Sequence, residues 1–185
     1  MPSIRRTVAL VVGPALAILL ATTVVAGPAA PRHAHGTFVN ASIPAVEIGW
    51  VKLTEDRNGK VHVNVKVVGL TTGLHGIHIH AAGSCSTTVS TFDGAGGHFN
   101  PLEREHGLEN PNGPHAGDLP NLVVDLEGRG TLNAKTDRVT LSATSMLDAN
   151  GTAFIIHANP DNQTNDPVNG GSGPRIACAV VVANR

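Results

Sequence analysis

The sequence predicts an all-β fold, an eight-stranded antiparallel sandwich or barrel, and three observations carry this. Apolar residues alternate with polar ones at a period of two, most clearly Val61, Val63, Val65 and Val67 against His62, Asn64 and Lys66. Such runs are short and are punctuated by glycine, proline and asparagine, as at the Asn58-Gly59 turn. No apolar stripe at helical spacing lasts beyond a turn or two, and no internal repeat is present.

The segments follow in chain order. Arg5 and Arg6 precede an uncharged apolar run, TVALVVGPALAILLATTVVAG, that ends in small residues. That is the layout of a secretory signal peptide over residues 1–26, cleaved after Val24-Val25-Ala26. The run is also about long enough to span a bilayer, so an uncleaved N-terminal anchor is the alternative, and only then does the chain meet a membrane. Pro14 and the small-residue end favour cleavage. Residues 27–36, GPAAPRHAHG, read as a flexible linker, and 37–185 as one domain. Export puts that domain in the periplasm, at the cell surface or outside the cell.

Within the domain, FVNASI and AVEIGWVKL are β-rich runs divided by Pro44, and VHVNVKVVG follows the Asn58-Gly59 turn. In GLHGIHIHAAGSC, His78 and His80 share one strand face while Ile77 and Ile79 share the other, which reads as core. NLVVDLEG, RVTLSATSM (with Val139, Leu141 and Ala143 on one face), TAFIIHA and RIACAVVVA complete the strands. Residues 82–120 and 158–174 are instead rich in glycine, proline, asparagine and serine. Connections this long in a compact domain are commonly functional, and both are read so.

Composition narrows the chemistry. A formal net charge of −1, no tyrosine, one tryptophan and no basic patch exclude a nucleic-acid binder. Cys85 and Cys178 are the only cysteines, and an even pair in an exported chain is most simply a disulfide. It would close a loop of about 92 residues, worth up to ~4–5 kcal/mol in loop-closure entropy.

Seven of the ten histidines lie between residues 75 and 157. His78, His80, His98, His106, His115 and His157, with Asp118, gather on and beside the two long loops. A single such histidine reads as a surface or capping residue. Six with an aspartate read as ligands for zinc or copper, which take neutral imidazole nitrogens readily.

Five blocks in order, GLHGIHIH, GGHFNP, HGLENPNGPHAGDLPNL, IIHANPDN and GPRIAC, resemble copper–zinc superoxide dismutase in its bacterial exported form. The resemblance covers essentially the whole domain and implies a Greek-key, immunoglobulin-like barrel. It implies one copper per subunit, on His78, His80, His98 and His157, and one zinc, on His98, His106, His115 and Asp118. His98 would bridge the two metals as an imidazolate, since a cation on one ring nitrogen acidifies the other. Asp161 would link His78 to His106 and hold both rings in orientation. The resemblance pairs Cys85 with Cys178 and sets Arg175 beside the copper.

The implied reaction converts superoxide to molecular oxygen and hydrogen peroxide by alternate reduction and reoxidation of copper. His98 would take up and return a proton, and Arg175 would attract and orient the anion. One departure stands out: residues 158–174 carry Asp161 and Asp166 but no cation, which predicts weak electrostatic steering. The rival reading is an exported copper-binding or sequestering protein without rapid turnover. Such proteins lean on methionine for Cu(I), and here Met1 and Met146 are the only methionines. No patch fixes an assembly, and a homodimer is the form the resemblance offers. Of the remaining histidines, His75 reads as a structural hydrogen-bonding group and His62 as a solvated strand residue. His33 and His35 read as an incidental linker pair able to pick up stray copper, and Trp50 as core or interface packing.

Overall fold

The structure, a computed structural model, describes residues 32–89 and 91–184. The leader read over 1–26 lies outside the described residues. Among the described residues, ten strands form one antiparallel sheet: β1 (Arg32–Asn40), β2 (Glu47–Glu55), β3 (Val61–Val68), β4 (Gly73–His75), β5 (Ile77–His80), β6 (Leu122–Val124), β7 (Arg129–Thr136), β8 (Ala153–His157), β9 (Arg175–Val180) and β10 (Val182–Ala183). Their order across the sheet is β4-β6-β7-β3-β2-β1-β9-β8-β5, with β10 beside β1. The two ends of that order are consecutive in the chain, joined only at Gly76. There the Gly76 N–H donates to Asn159 O at 2.8 Å and the His157 N–H donates to Gly76 O at 2.8 Å. The sheet therefore curls back on itself into a nearly closed barrel, which leaves few unpaired edges.

The all-β expectation holds, with three differences of detail. GLHGIHIH is two strands rather than one, because each half pairs with a different end of the sheet. RVTLSATSM is not a strand. Hydrogen bonds outside any ladder capture its backbone: locally Thr140 N to Ser145 Oγ at 3.1 Å and Leu147 N to Ser142 O at 3.0 Å, and at long range Leu141 N to the buried Glu55 carboxylate at 2.7 Å. The neighbouring strand is β7, RGTLNAKT, whose polar outer face and small inner residues hide its alternation. Third, β1 opens at Arg32, so residues 32–36 are strand rather than flexible linker, paired from Arg32↔Glu55 to Gly36↔Val51.

Inside the barrel, Phe38, Val51, Leu53, Val63, Val65, Ile77, Ile79, Phe154 and Ile156 are buried together. Each such side chain stabilises the fold by roughly 1.5–3 kcal/mol. A second, smaller cluster lies on the outer face of β8 and β9: Ala153, Ile155 and Cys178, covered by Phe92 and Ala95. That cover explains why AFII is an unbroken apolar run, since both faces of β8 are buried. The Cys85–Cys178 disulfide pins the covering loop to β9.

Candidate metal centre

β5 sits at one end of the sheet order, and its free edge is where the long first loop returns. Phe99 N donates to Ile79 O at 2.8 Å, Ile79 N to Gly117 O at 2.9 Å, and Ala81 N to Gly97 O at 2.9 Å. These bridges bring His98 opposite His80 and Asp118 opposite His78. A vacant strand edge is thus the template that assembles the cluster. His157 arrives from β8, where a register shift between Ile156 and His157 sets it across from Arg175 on β9. His78 and His80, outward on the barrel wall, are 0% and 1% exposed because these loops cover them.

His78, His80, His98 and His157 each place a ring nitrogen within 4.8 Å of the others. Three of these rings are oriented by their second nitrogen. His80 Nδ1 meets Gly96 O at 2.9 Å, His157 Nδ1 meets Gly173 O at 3.0 Å, and His78 Nε2 meets Asp161 Oδ2 at 2.6 Å. A carbonyl only accepts, so Nδ1 of His80 and His157 carries the proton and Nε2 carries the lone pair. The nitrogens left over, His78 Nδ1, His80 Nε2 and His157 Nε2, are buried without a partner. Three converging buried lone pairs are costly unless a cation takes them, so this set fits a metal of imidazole preference.

Asp118 centres the second set. Its Oδ1 lies 3.2 Å from His98 Nδ1, 3.0 Å from His106 Nδ1 and 3.3 Å from His115 Nδ1, and His98 Nδ1 is 3.1 Å from His115 Nδ1. Tetrahedral zinc with bonds of ~2.0–2.1 Å has ligand–ligand edges of about 3.3 Å, so these separations suit it. Proximity alone also groups His78 with His98, His106 and Asp118. His78 has its Nε2 on Asp161, however, and His115 has Nδ1 at tetrahedral-edge distance, so His115 is the better fourth member. Asp161 also meets His106 Nε2 at 3.0 Å and so joins the two sets. Gly170 lies flat against this bridge at φ +68°, where a Cβ would collide with Asp161 Oδ1.

Electrostatics agree with the geometry. Burial lowers His78 to about 3 and His157 to about 4, and depresses His80 and His98 also, so these rings stay neutral. Burial would lower His106 too, but its hydrogen bonds to Asp118 and Asp161 outweigh that and raise it to about 9. Asp118 and Asp161 are held well below the carboxylate range; burial opposes this, and the histidine hydrogen bonds prevail. The Asp118 side therefore favours a cation.

The cluster opens on a cleft of about 380 Å³ lined by His80, His98, His157, Asn169, Ser172 and Arg175. The Arg175 guanidinium is pinned by donating to Phe92 O and Gly96 O, each at 2.6 Å. Gly96 O thus receives both His80 and Arg175, and the disulfide fastens the same loop to the strand carrying Arg175. Sequence reasoning missed this carbonyl, which no side-chain motif encodes. It also missed Arg138, whose Nη2 donates to Asp118 O at 2.6 Å, and Asn121, which exchanges hydrogen bonds with the Asp161 backbone.

The other histidines stand apart. His75 is buried, with Nδ1 2.7 Å from His157 O and Nε2 2.9 Å from Thr71 O, which fits a structural role. His33, His35 and His62 lie on the outer barrel wall, as does Trp50, whose ring has Lys52 Nζ at 4.6 Å and Lys66 Nζ at 5.9 Å. Trp50 is therefore a half-buried cation–π platform and not core.

Comparison with known proteins bears on what this centre is. The family model described as copper/zinc superoxide dismutase matches residues 47–181. A Cu-Zn superoxide dismutase of Aquifex aeolicus is 39% identical over 152 residues, covering 80% of this chain and 85% of the relative. The superoxide dismutase-like protein YojM of Bacillus subtilis is 38% identical, over 81% of this chain and 76% of its own. Among solved structures, the Cu/Zn superoxide dismutase of Brucella abortus superposes with a TM-score of 0.68 at 28% identity, covering 80% of this chain and 98% of that one. A site of neutral imidazoles beside an anionic pocket, on this barrel and in this company, makes the chain a member of the copper/zinc superoxide dismutase family, an enzyme that dismutes superoxide with copper and zinc as cofactors.

Proposed function

We propose that copper is held by His78, His80, His98 and His157 and zinc by His98, His106, His115 and Asp118. The observation that carries this reading is the trio of buried, partnerless nitrogens, His78 Nδ1, His80 Nε2 and His157 Nε2, beside His98. Bound copper supplies one-electron exchange with superoxide, and bound zinc supplies a fixed charge that orders the loop. The protein residues do the rest. His98 turns Nδ1 toward Asp118 and His115, which would leave Nε2 on the side of the copper set and make this ring the group that takes up and returns the proton peroxide needs. Arg175, fixed by two carbonyls at the cleft, draws in and orients the anion by charge-assisted hydrogen bonds. Asp161 keeps the His78 and His106 rings in register.

The apolar leader and the Cys85–Cys178 disulfide support export, to the periplasm, cell surface or exterior, with residues 1–26 removed and the remainder acting against superoxide there. A homodimer is supported by the neighbouring exposed Leu74 and Val123 on β4 and β6. The test is metal analysis paired with a dismutase assay before and after copper addition. Activity that rises with copper to one equivalent beside one zinc supports the assignment; a fully loaded protein without activity sinks it. Sequencing the N-terminus of exported protein checks cleavage after Ala26.

A further inference from the structure

Apart from the metal cluster and His75, the chain has three histidines, His33, His35 and His62, and all three lie on the outer face of β1–β3. His33 and His35 are two apart on β1, so both rings leave the same side of the strand, roughly 6.6–6.8 Å apart at the backbone. Both are exposed. Each has Nδ1 engaged: His33 meets Thr54 Oγ1 at 3.1 Å, and His35 meets Asn184 Oδ1. Asn184 Oδ1 is an acceptor, so His35 Nδ1 carries the proton and its Nε2 lone pair is bare. This is the device that orients His80 and His157 in the buried centre, where a carbonyl fixes Nδ1 and frees Nε2.

We propose that His33 and His35 form an auxiliary surface site for a divalent transition metal, with copper(II) the strongest binder. Thr54 and Asn184 hold the rings, and water completes the coordination. Two imidazole ligands favour copper(II) over nickel(II) and zinc(II) by the usual order of divalent affinities. The cross-strand lysine does not oppose this. Lys52 pairs with His35 across the strands, but its ammonium lies over the Trp50 ring, in the neighbouring row. His62 is outside the site, since its Nε2 is engaged by Asp56 at 3.2 Å. The site is open, so its metal exchanges freely, unlike one held under the loops. It would concentrate copper at the surface of an enzyme that needs it.

The experiment titrates copper(II) into untagged holoenzyme whose copper and zinc sites are already filled, followed by calorimetry and by electron paramagnetic resonance. The expected result is one further, weaker equivalent with its own copper(II) signal, and lower affinity for nickel(II) and zinc(II). H33A/H35A should lose that equivalent while keeping the two tight metals and its dismutase activity. N184A should weaken it by about tenfold or more, the usual effect of removing a ring-orienting partner. No further equivalent in the wild type, or one that survives in H33A/H35A, overturns the proposal.

Discussion

The chain carries the same local pattern twice. His78 and His80 on β5 and His33 and His35 on β1 are each a pair two residues apart on the outer face of one barrel. On β5 the rings are 0% and 1% exposed; on β1 both are open to water. The difference lies in what covers each strand. β5 ends the sheet order, and its free edge recruits residues 97–99 and 117–118 of the first loop. β1 has neighbours on both sides, and none of the described loops covers its outer face. Burial gives the β5 pair lone pairs that water cannot reach and lowers their basicity, so a metal bound there competes with few protons. An identical pair on the open wall has only ring orientation to offer.

The largest expected effect tests that contrast at its centre. His98→Ala should remove rapid dismutation, whereas a passive copper carrier would lose little beyond some affinity. Stopped-flow decay of superoxide, with metal content measured on the same sample, separates the two. Next comes the cover itself. Replacing Cys85 and Cys178 with alanine should cost about 2–5 kcal/mol in urea unfolding, because the bond closes a long loop and holds Phe92 and Ala95 against β8. If stability changed by less than 1 kcal/mol, the loop would be holding itself in place.

The metal-free protein should show a pH signature of the buried wall. Folded His78 titrates at about 3 and His157 at about 4, with His80 and His98 also depressed, against an ordinary value of ~6.5. Between those values only the unfolded chain binds the protons. The contribution of these four rings is therefore whole above about pH 6.5 and falls as pH drops toward 3–4, by up to ~1.4 kcal/mol per pH unit for each ring. His106, raised to about 9, acts oppositely: its contribution is full below about 6.5 and is lost as pH rises through 9. Thermal unfolding of chelator-treated protein should peak between these limits, and a flat profile from pH 4 to 7 would contradict the burial argument. The smallest effect concerns steering. With Arg175 the only lysine or arginine between Arg138 and Arg185, kcat/KM should change less than about tenfold between roughly 0.01 and 0.2 M salt. A steep fall would mean that cations elsewhere on the surface guide the anion.

Much of this was legible in the sequence, for physical reasons. Alternation in VHVNVKVVG reports a half-buried strand, and in GIHIH a strand with two chemically distinct faces, because side chains change face at every residue. The candidate metal centre was legible because its proposed donors are uncommon residue types in distinctive blocks. Less legible were elements whose inner residues are small, such as β7 with Gly130 and Ala134, and turns that borrow strand-like residues, such as Val139 and Leu141. Both of the latter are buried in the main core without being in a strand. Arg32 to Gly36 read as linker because proline, alanine and glycine surround them, yet β2 supplies a complete ladder partner.

The sequence by itself determined the donors: which imidazoles and carboxylates exist, which strand face each can occupy, and that two cysteines are available to join. Those follow from covalent order and from the two-residue period, which operate within a few residues. Only the tertiary structure decided which histidine pair is buried, which nitrogen of each ring is left free, and where Arg175 is aimed. Those depend on Gly96 O, Gly173 O and Phe92 O, main-chain groups that every sequence possesses and only a closed barrel with a tethered loop brings to the right ring.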